Sequence, residues 1–318
     1  MFSLLSLVDG FARDTRFLAL TAVAAVAVAA ADARTLAEFE WGRAPAGIGF
    51  VSVRDGVSDP MALGPQALAV APDGRLALAD TWNNRVLLMD RNGSVTGSVP
   101  VAGRPRVLAL SAAGELAVAT AGGPSLTVFD RTGALRWELE ADPAAAAPVG
   151  QLDALAFAPS GHLLAGDIAT GRIRVFSPEG RPEGELPWEG GGLASDADGA
   201  VLDLAFTPGS GYWLRSRKLG SGQPVRLAEV PGSETAAGGV LLGGDRSGRW
   251  YVRFSTRGSL AVFVLDSSGR KLRRLGLLPD RVQTSAVGVR ADGALVWVAH
   301  DPSKAPRGKV CLRAALVP

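Results

Sequence analysis

The sequence has one cysteine, Cys311, and two histidines, His162 and His300. One cysteine excludes an intrachain disulfide and any cysteine-based zinc site; two histidines exclude a three-histidine metal centre. No cysteine near the N-terminus is available for lipid attachment. Aromatic residues make up 6% of the chain and the net charge is only +2. Neither suits a nucleic-acid partner, which asks for a basic field or stacked aromatic platforms. No uninterrupted apolar run reaches the roughly 20 residues of a membrane-spanning helix. Residues 17–31 (FLALTAVAAVAVAAA) come nearest, with 15. That run follows Arg13 and Arg16 and precedes Ala31-Asp32-Ala33, an A-x-A-like cleavage site. Residues 1–33 are therefore expected to be an export signal, or alternatively a short N-terminal anchor. Residues 34–318 would form one periplasmic or secreted domain, with no stable membrane insertion after cleavage.

What the chain has in quantity is turn punctuation: 40 glycines and 20 prolines in 318 residues, with 47% hydrophobic residues between them. Such spacing points to many short strands. Residues 67–95 (ALAVAPDGRLALADTWNNRVLLMDRNGSV) read as strand, Asp-Gly turn, strand, polar corner, strand, Gly turn. Residues 106–135 and 152–181 repeat the pattern, with first-turn glycines at 74, 114 and 161 and later ones at 93, 133 and 180. These supply the positive φ of tight hairpins. More divergent copies begin near 202, 240 and 285. Six units spaced roughly 38–50 residues apart match four-stranded propeller blades. Fourth strands are expected over residues 94–101, 134–140, 181–188, 225–230 and 271–278. The sixth unit runs out of chain, and residues 35–41 (TLAEFEW) form an orphan strand at the other end. The expected fold is thus an all-β, six-bladed propeller with antiparallel four-stranded blades, its last blade closed by an N-terminal strand.

Pro72-Asp73-Gly74, Ala79-Asp80 and Asn83-Asn84-Arg85-Val86 together resemble an NHL repeat. The third unit keeps Gly166-Asp167 and Gly171-Arg172-Ile173; the others keep only the turn-and-strand skeleton. The resemblance implies a six-bladed propeller and no single activity, because propellers host both binding modules and enzymes.

Asp80, Asn83, Asn84 and Arg85 read first as a corner whose polar groups satisfy the backbone between the second and third strands. Their functional reading is ligand contact, with Trp82 as an exposed aromatic suited to sugar rings, peptides or anions. The matching corners carry Arg215, Arg217, Lys218, Arg253, Arg257, Lys304 and Arg307, a potential basic patch for an anionic partner. The candidate ligand contacts are therefore Trp82, Asn83, Arg85, Arg215, Arg217, Arg253, Arg257, His300 and Asp301. His300-Asp301 could act as a general-base pair, given a nucleophile from another blade; no G-x-S-x-G motif accompanies it. His162 reads as an inert residue of a hairpin on the opposite face. Asp196-Ala197-Asp198-Gly199 looks like a calcium loop, but Ala200 stands where an oxygen ligand is needed and Thr207 where a glutamate is needed. It reads as an Asp-Gly turn in the connection between blades. Basic residues Arg270, Lys271, Arg273 and Arg274 read as protection of an outer strand edge.

The function expected is a monomeric binding or scaffolding module without a cofactor. It would engage a protein, peptide or glycan on the face of the inter-blade loops. The alternative is a propeller enzyme, a lactonase-like hydrolase or a lyase, with a channel-mouth metal. Asp153 and Asp203, the clearest polar residues in apparent inner strands, would then be calcium ligands.

Overall fold

The computed structural model describes residues 26–27, 33–50, 64–121, 125–139, 150–220, 223–230, 237–256, 259–267, 270–277, 282–300 and 308–316. They form six sheets around one axis, each a four-stranded antiparallel meander. Blade 1 comprises Leu68–Val70, Leu76–Asp80, Arg85–Met89 and Val95–Pro100, counted outward from the axis. Blade 2 comprises Arg104–Leu110, Leu116–Ala121, Leu126–Phe129 and Leu135–Leu139; blade 3, Leu152–Phe157, Leu163–Asp167, Arg172–Phe176 and Pro182–Pro187. Blade 4 comprises Leu193–Ser195, Val201–Thr207, Gly211–Arg217 and Val225–Glu229; blade 5, Ala237–Gly244, Trp250–Thr256, Ser259–Leu265 and Lys271–Leu277. Blade 6 takes Val282–Val289, Leu295–His300 and Lys309–Ala315 from the C-terminal end of the chain and Arg34–Glu40 from the other. The expected strand closure is therefore present, and the first strands of blades 6 and 1 adjoin. Val26–Ala27 pairs in parallel with the outer strand of blade 5; the rest of the expected signal lies outside the described residues. Among those residues no helix is long and apolar enough to cross a membrane.

Each blade buries both faces, so its second and third strands are apolar almost throughout. The core divides into six clusters, one at each junction between neighbouring blades. Leu76, Leu78 and Met89 of blade 1 meet Val296, Val298 and Leu312 of blade 6. Ala77, Ala79 and Val86 point the other way, onto Leu108 and Val118 of blade 2. This is the period-two alternation of a strand, with both phases apolar. At the junction of blades 3 and 4, Trp188 is buried across Gly166, where a Cβ would lie 2.7 Å from the indole.

One repeat is placed differently from its sequence reading. The segment LDLAF of the fourth unit is the second strand of blade 4, not the innermost. The innermost is Leu193–Ser195, and Asp196, Asp198 and Gly199 form the first hairpin rather than an inter-blade connection. Asp196 Oδ1 accepts the Asp198 and Ala200 N–H groups there, an ordinary turn arrangement. LDLAF resembles the true inner strand LDALAF of blade 3 because both positions are apolar on both faces.

Candidate functional site

The antiparallel path puts the first hairpins on one face of the disc. The second-to-third turns share the opposite face with the inter-blade connections. The polar corner of blade 1 is on this second face. Asp80, fully buried, accepts from Gly49 N at 2.8 Å, Asn83 Nδ2 at 2.8 Å and Arg85 Nε at 2.7 Å. Arg85 donates through Nη1 to Pro45 O and through Nη2 to Gly47 O, at 3.1 and 2.8 Å. Asn83 Nδ2 also reaches Gly42 O and Gly47 O. The corner is a clamp on residues 42–49, the connection arriving from blade 6.

The same device recurs. Asp167 follows the first-turn Gly161 by six residues, as Asp80 follows Gly74, and accepts from Gly150 N at 2.8 Å in the connection from blade 2. Asp203 comes only four residues after Gly199 and uses side chains instead. It binds Arg215 at 2.6 Å and Arg217 at 2.9 Å, and these hold Glu189 of the connection from blade 3 and Pro187 O at the end of that blade's outer strand. Burial works against the Arg215 charge, but hydrogen bonds to Asp203 and Glu189 outweigh it and raise its pKa. Arg215 and Arg217 were expected in a solvated corner; they are buried in the third strand and contribute nothing to a surface patch.

Trp82 is half-buried in a 3-10 turn, with the Arg104 guanidinium stacked 4.3 Å from its ring centroid. It is therefore less open to a ligand than an exposed corner aromatic would be. Arg257 and Asp301 lie outside the described residues, as does the side chain of His300.

A second set of polar residues lies on the inner strands or the strands beside them. In blade 2 the inner-strand register passes from Pro105 to Val107, leaving Arg106 as a bulge residue. In blade 3 it passes from Leu152 to Ala154, leaving Asp153. Bulges re-aim side chains out of the ladder, and both residues are exposed. Arg253 is on the second strand of blade 5, opposite Val240. Burial pushes its pKa down to about 10, and the charge of Asp153, two blades away, works against that shift. Its Nε is buried without a hydrogen-bond partner among the described residues. A guanidinium in that state has lost water and has a donor unsatisfied, which suits it chemically to an anion. Separately, Arg106, Thr120, Ser125, Gly150 and Gln151 line a cavity of about 220 Å³ between blades 2 and 3.

The proposed calcium ligands do not fit a cation. Asp203 is fully buried and already neutralised by two guanidiniums, and it is not on an inner strand. Asp153 stands on a different blade from Asp203, and its charge acts on Arg253. Among the described residues no three His, Cys, Asp or Glu side chains come together. The signal that could have separated Arg253 from Arg215 in the sequence is the acid: Asp203 stands opposite Arg215 on the neighbouring strand, whereas Val240 and Val262 flank Arg253.

No family model matches the sequence, and no curated protein matches it significantly. Solved structures do. A gluconolactonase from Xanthomonas campestris is 19% identical with a TM-score of 0.56, over 80% of this chain and 86% of that one. A streptogramin B lyase is 11% identical with a TM-score of 0.55, over 81% and 95%. Regucalcin, a calcium-binding protein from Agrobacterium tumefaciens, is 16% identical with a TM-score of 0.53, over 79% and 90%. At these identities the likeness is one of fold: the chain is a six-bladed β-propeller.

Proposed function

We propose that the chain is an exported, NHL-type binding module whose channel mouth receives an anionic group on a peptide or glycan. The reading is carried by one observation: the Arg253 Nε is buried without a hydrogen-bond partner among the described residues, and the charge of Asp153, two blades away, only partly offsets the burial. A desolvated guanidinium binds a carboxylate or phosphate more strongly than a hydrated one. Arg106 adds a second positive charge from its bulge, and Asp153 disfavours ligands with excess negative charge. Export follows from residues 1–33, and the NHL assignment from the motif around Asp80 and Arg85.

A propeller hydrolase or lyase is the second reading, favoured by the gluconolactonase and lyase among the fold neighbours. A metal-dependent version needs convergent ligands that the described residues do not provide.

The test is calorimetric titration of the full chain with glucuronate, citrate and inorganic phosphate, repeated on Arg253→Met. Binding that weakens at least about tenfold in the variant, the loss of one charge-assisted pair, supports the proposal. Equal binding by both proteins refutes it. Because the folded pKa of Arg253 is depressed to about 10, its charge and the affinity should fade as pH rises through that value.

A further inference from the structure

The opposite face of the propeller carries a different constellation. In blade 3, Ser160 Oγ lies 2.8 Å from His162 Nδ1, and His162 Nε2 lies 2.8 Å from Glu183 Oε2. Ser160 and His162 belong to the first hairpin, and Glu183 to the outer strand of the same blade. A carboxylate can only accept a hydrogen bond, so Glu183 holds the imidazole with its proton on Nε2. The Nδ1 lone pair then faces the serine hydroxyl. This is the division of labour of a nucleophile, a base and an orienting acid, with the two ring nitrogens exchanged. Ser160 is exposed, so the nucleophile is accessible. All three residues border a groove of about 550 Å³, walled by Val175 and Leu186 of blade 3 and by Leu219 after the third strand of blade 4.

The other blades show what the scaffold requires at these positions. Asp73 and Arg75 pair within the blade 1 hairpin, and Glu115 and Arg136 pair between hairpin and outer strand in blade 2. Charged pairs suffice to brace the turn, and blade 3 alone combines a serine, a histidine and a carboxylate in sequence. We infer that Ser160, His162 and Glu183 form an esterase site that acylates on uncharged esters of short apolar acids. Base catalysis contributes about 10²–10⁴-fold, which suits esters with phenol-like leaving groups and not amides. The apolar walls take the acyl chain, and Glu183 and Glu185 at the groove disfavour anionic substrates.

In the acylation step Ser160 Oγ bonds to the carbonyl carbon as its proton passes to His162 Nδ1. The bond to the leaving oxygen then breaks, and that oxygen takes the proton from His162. Water repeats the sequence, with its proton going through His162 to Ser160 Oγ, and releases the carboxylic acid.

The test uses the full chain with p-nitrophenyl butyrate and a fluorophosphonate probe. Turnover and a covalent adduct mapped to Ser160 by peptide mass spectrometry are expected. Ser160→Asp should abolish both without disturbing the turn, since aspartate stands at this position as Asp73, Asp198 and Asp292 in blades 1, 4 and 6. His162→Gln should slow labelling by about 100-fold, and Glu183→Gln by less. Absence of labelling on Ser160, or turnover unchanged in Ser160→Asp, overturns the inference. Neither result bears on anion binding at the opposite face.

Discussion

The corner of blade 1 and the channel mouth are both rich in polar groups, and they differ in what those groups hold. At the corner, Asp80, Asn83 and Arg85 are tied to one another and to four residues of the incoming connection. In the second group, Arg253 keeps a buried donor without a partner among the described residues, and Arg106 and Asp153 are bulge residues of inner strands. The first arrangement is satisfied within the chain; the second leaves a donor open among the described residues. A polar cluster thus marks a site only where its hydrogen bonds remain open after the fold has formed.

This contrast can be broken by substitution. Asp80→Ala leaves the Arg85 charge and the Gly49 N–H buried without an acceptor, and should cost about 3–5 kcal/mol, read as a lower urea midpoint. Asp80→Asn, which keeps an acceptor for Gly49, should cost less. If the alanine variant unfolds at the wild-type midpoint, the corner is not a clamp. Gly166→Ala drives a methyl group into the Trp188 ring and should cost about 1–3 kcal/mol, measured in the same way. It tests whether the junction between blades 3 and 4 is as tightly packed as the corner is tightly bonded. Arg104→Ala removes one exposed stacking contact on Trp82 and should cost only about 0.5–1 kcal/mol. A larger loss would make Trp82 part of the clamp rather than its cover.

Most of the fold was legible before any coordinates. Asp-Gly turns, alternating strands and the orphan segment at residues 35–41 led to six blades and the strand closure, because turn chemistry and strand period act locally. The fourth unit slipped by one strand, since an inner strand and a second strand buried on both faces have the same apolar composition. That Asp80 and Arg85 form a structural corner was readable from recurrence; that the corner holds residues 42–49 was not, because that segment is distant in sequence. The state of Arg253 was not either, because it depends on burial set by the packing of the blades, which no local pattern encodes. The contact of His162 with Glu183 likewise needs the register among the strands of blade 3, which no local pattern encodes.

The most direct test of the contrast follows anion affinity and unfolding together in Arg253→Met. If the mouth is a receptor and the corner a clamp, affinity for glucuronate, citrate or phosphate falls at least about tenfold. The urea midpoint meanwhile holds or rises, because a desolvated charge has been replaced by an apolar chain of similar length. A midpoint lowered as far as in Asp80→Ala, with affinity unchanged, would make Arg253 another structural brace and contradict the account.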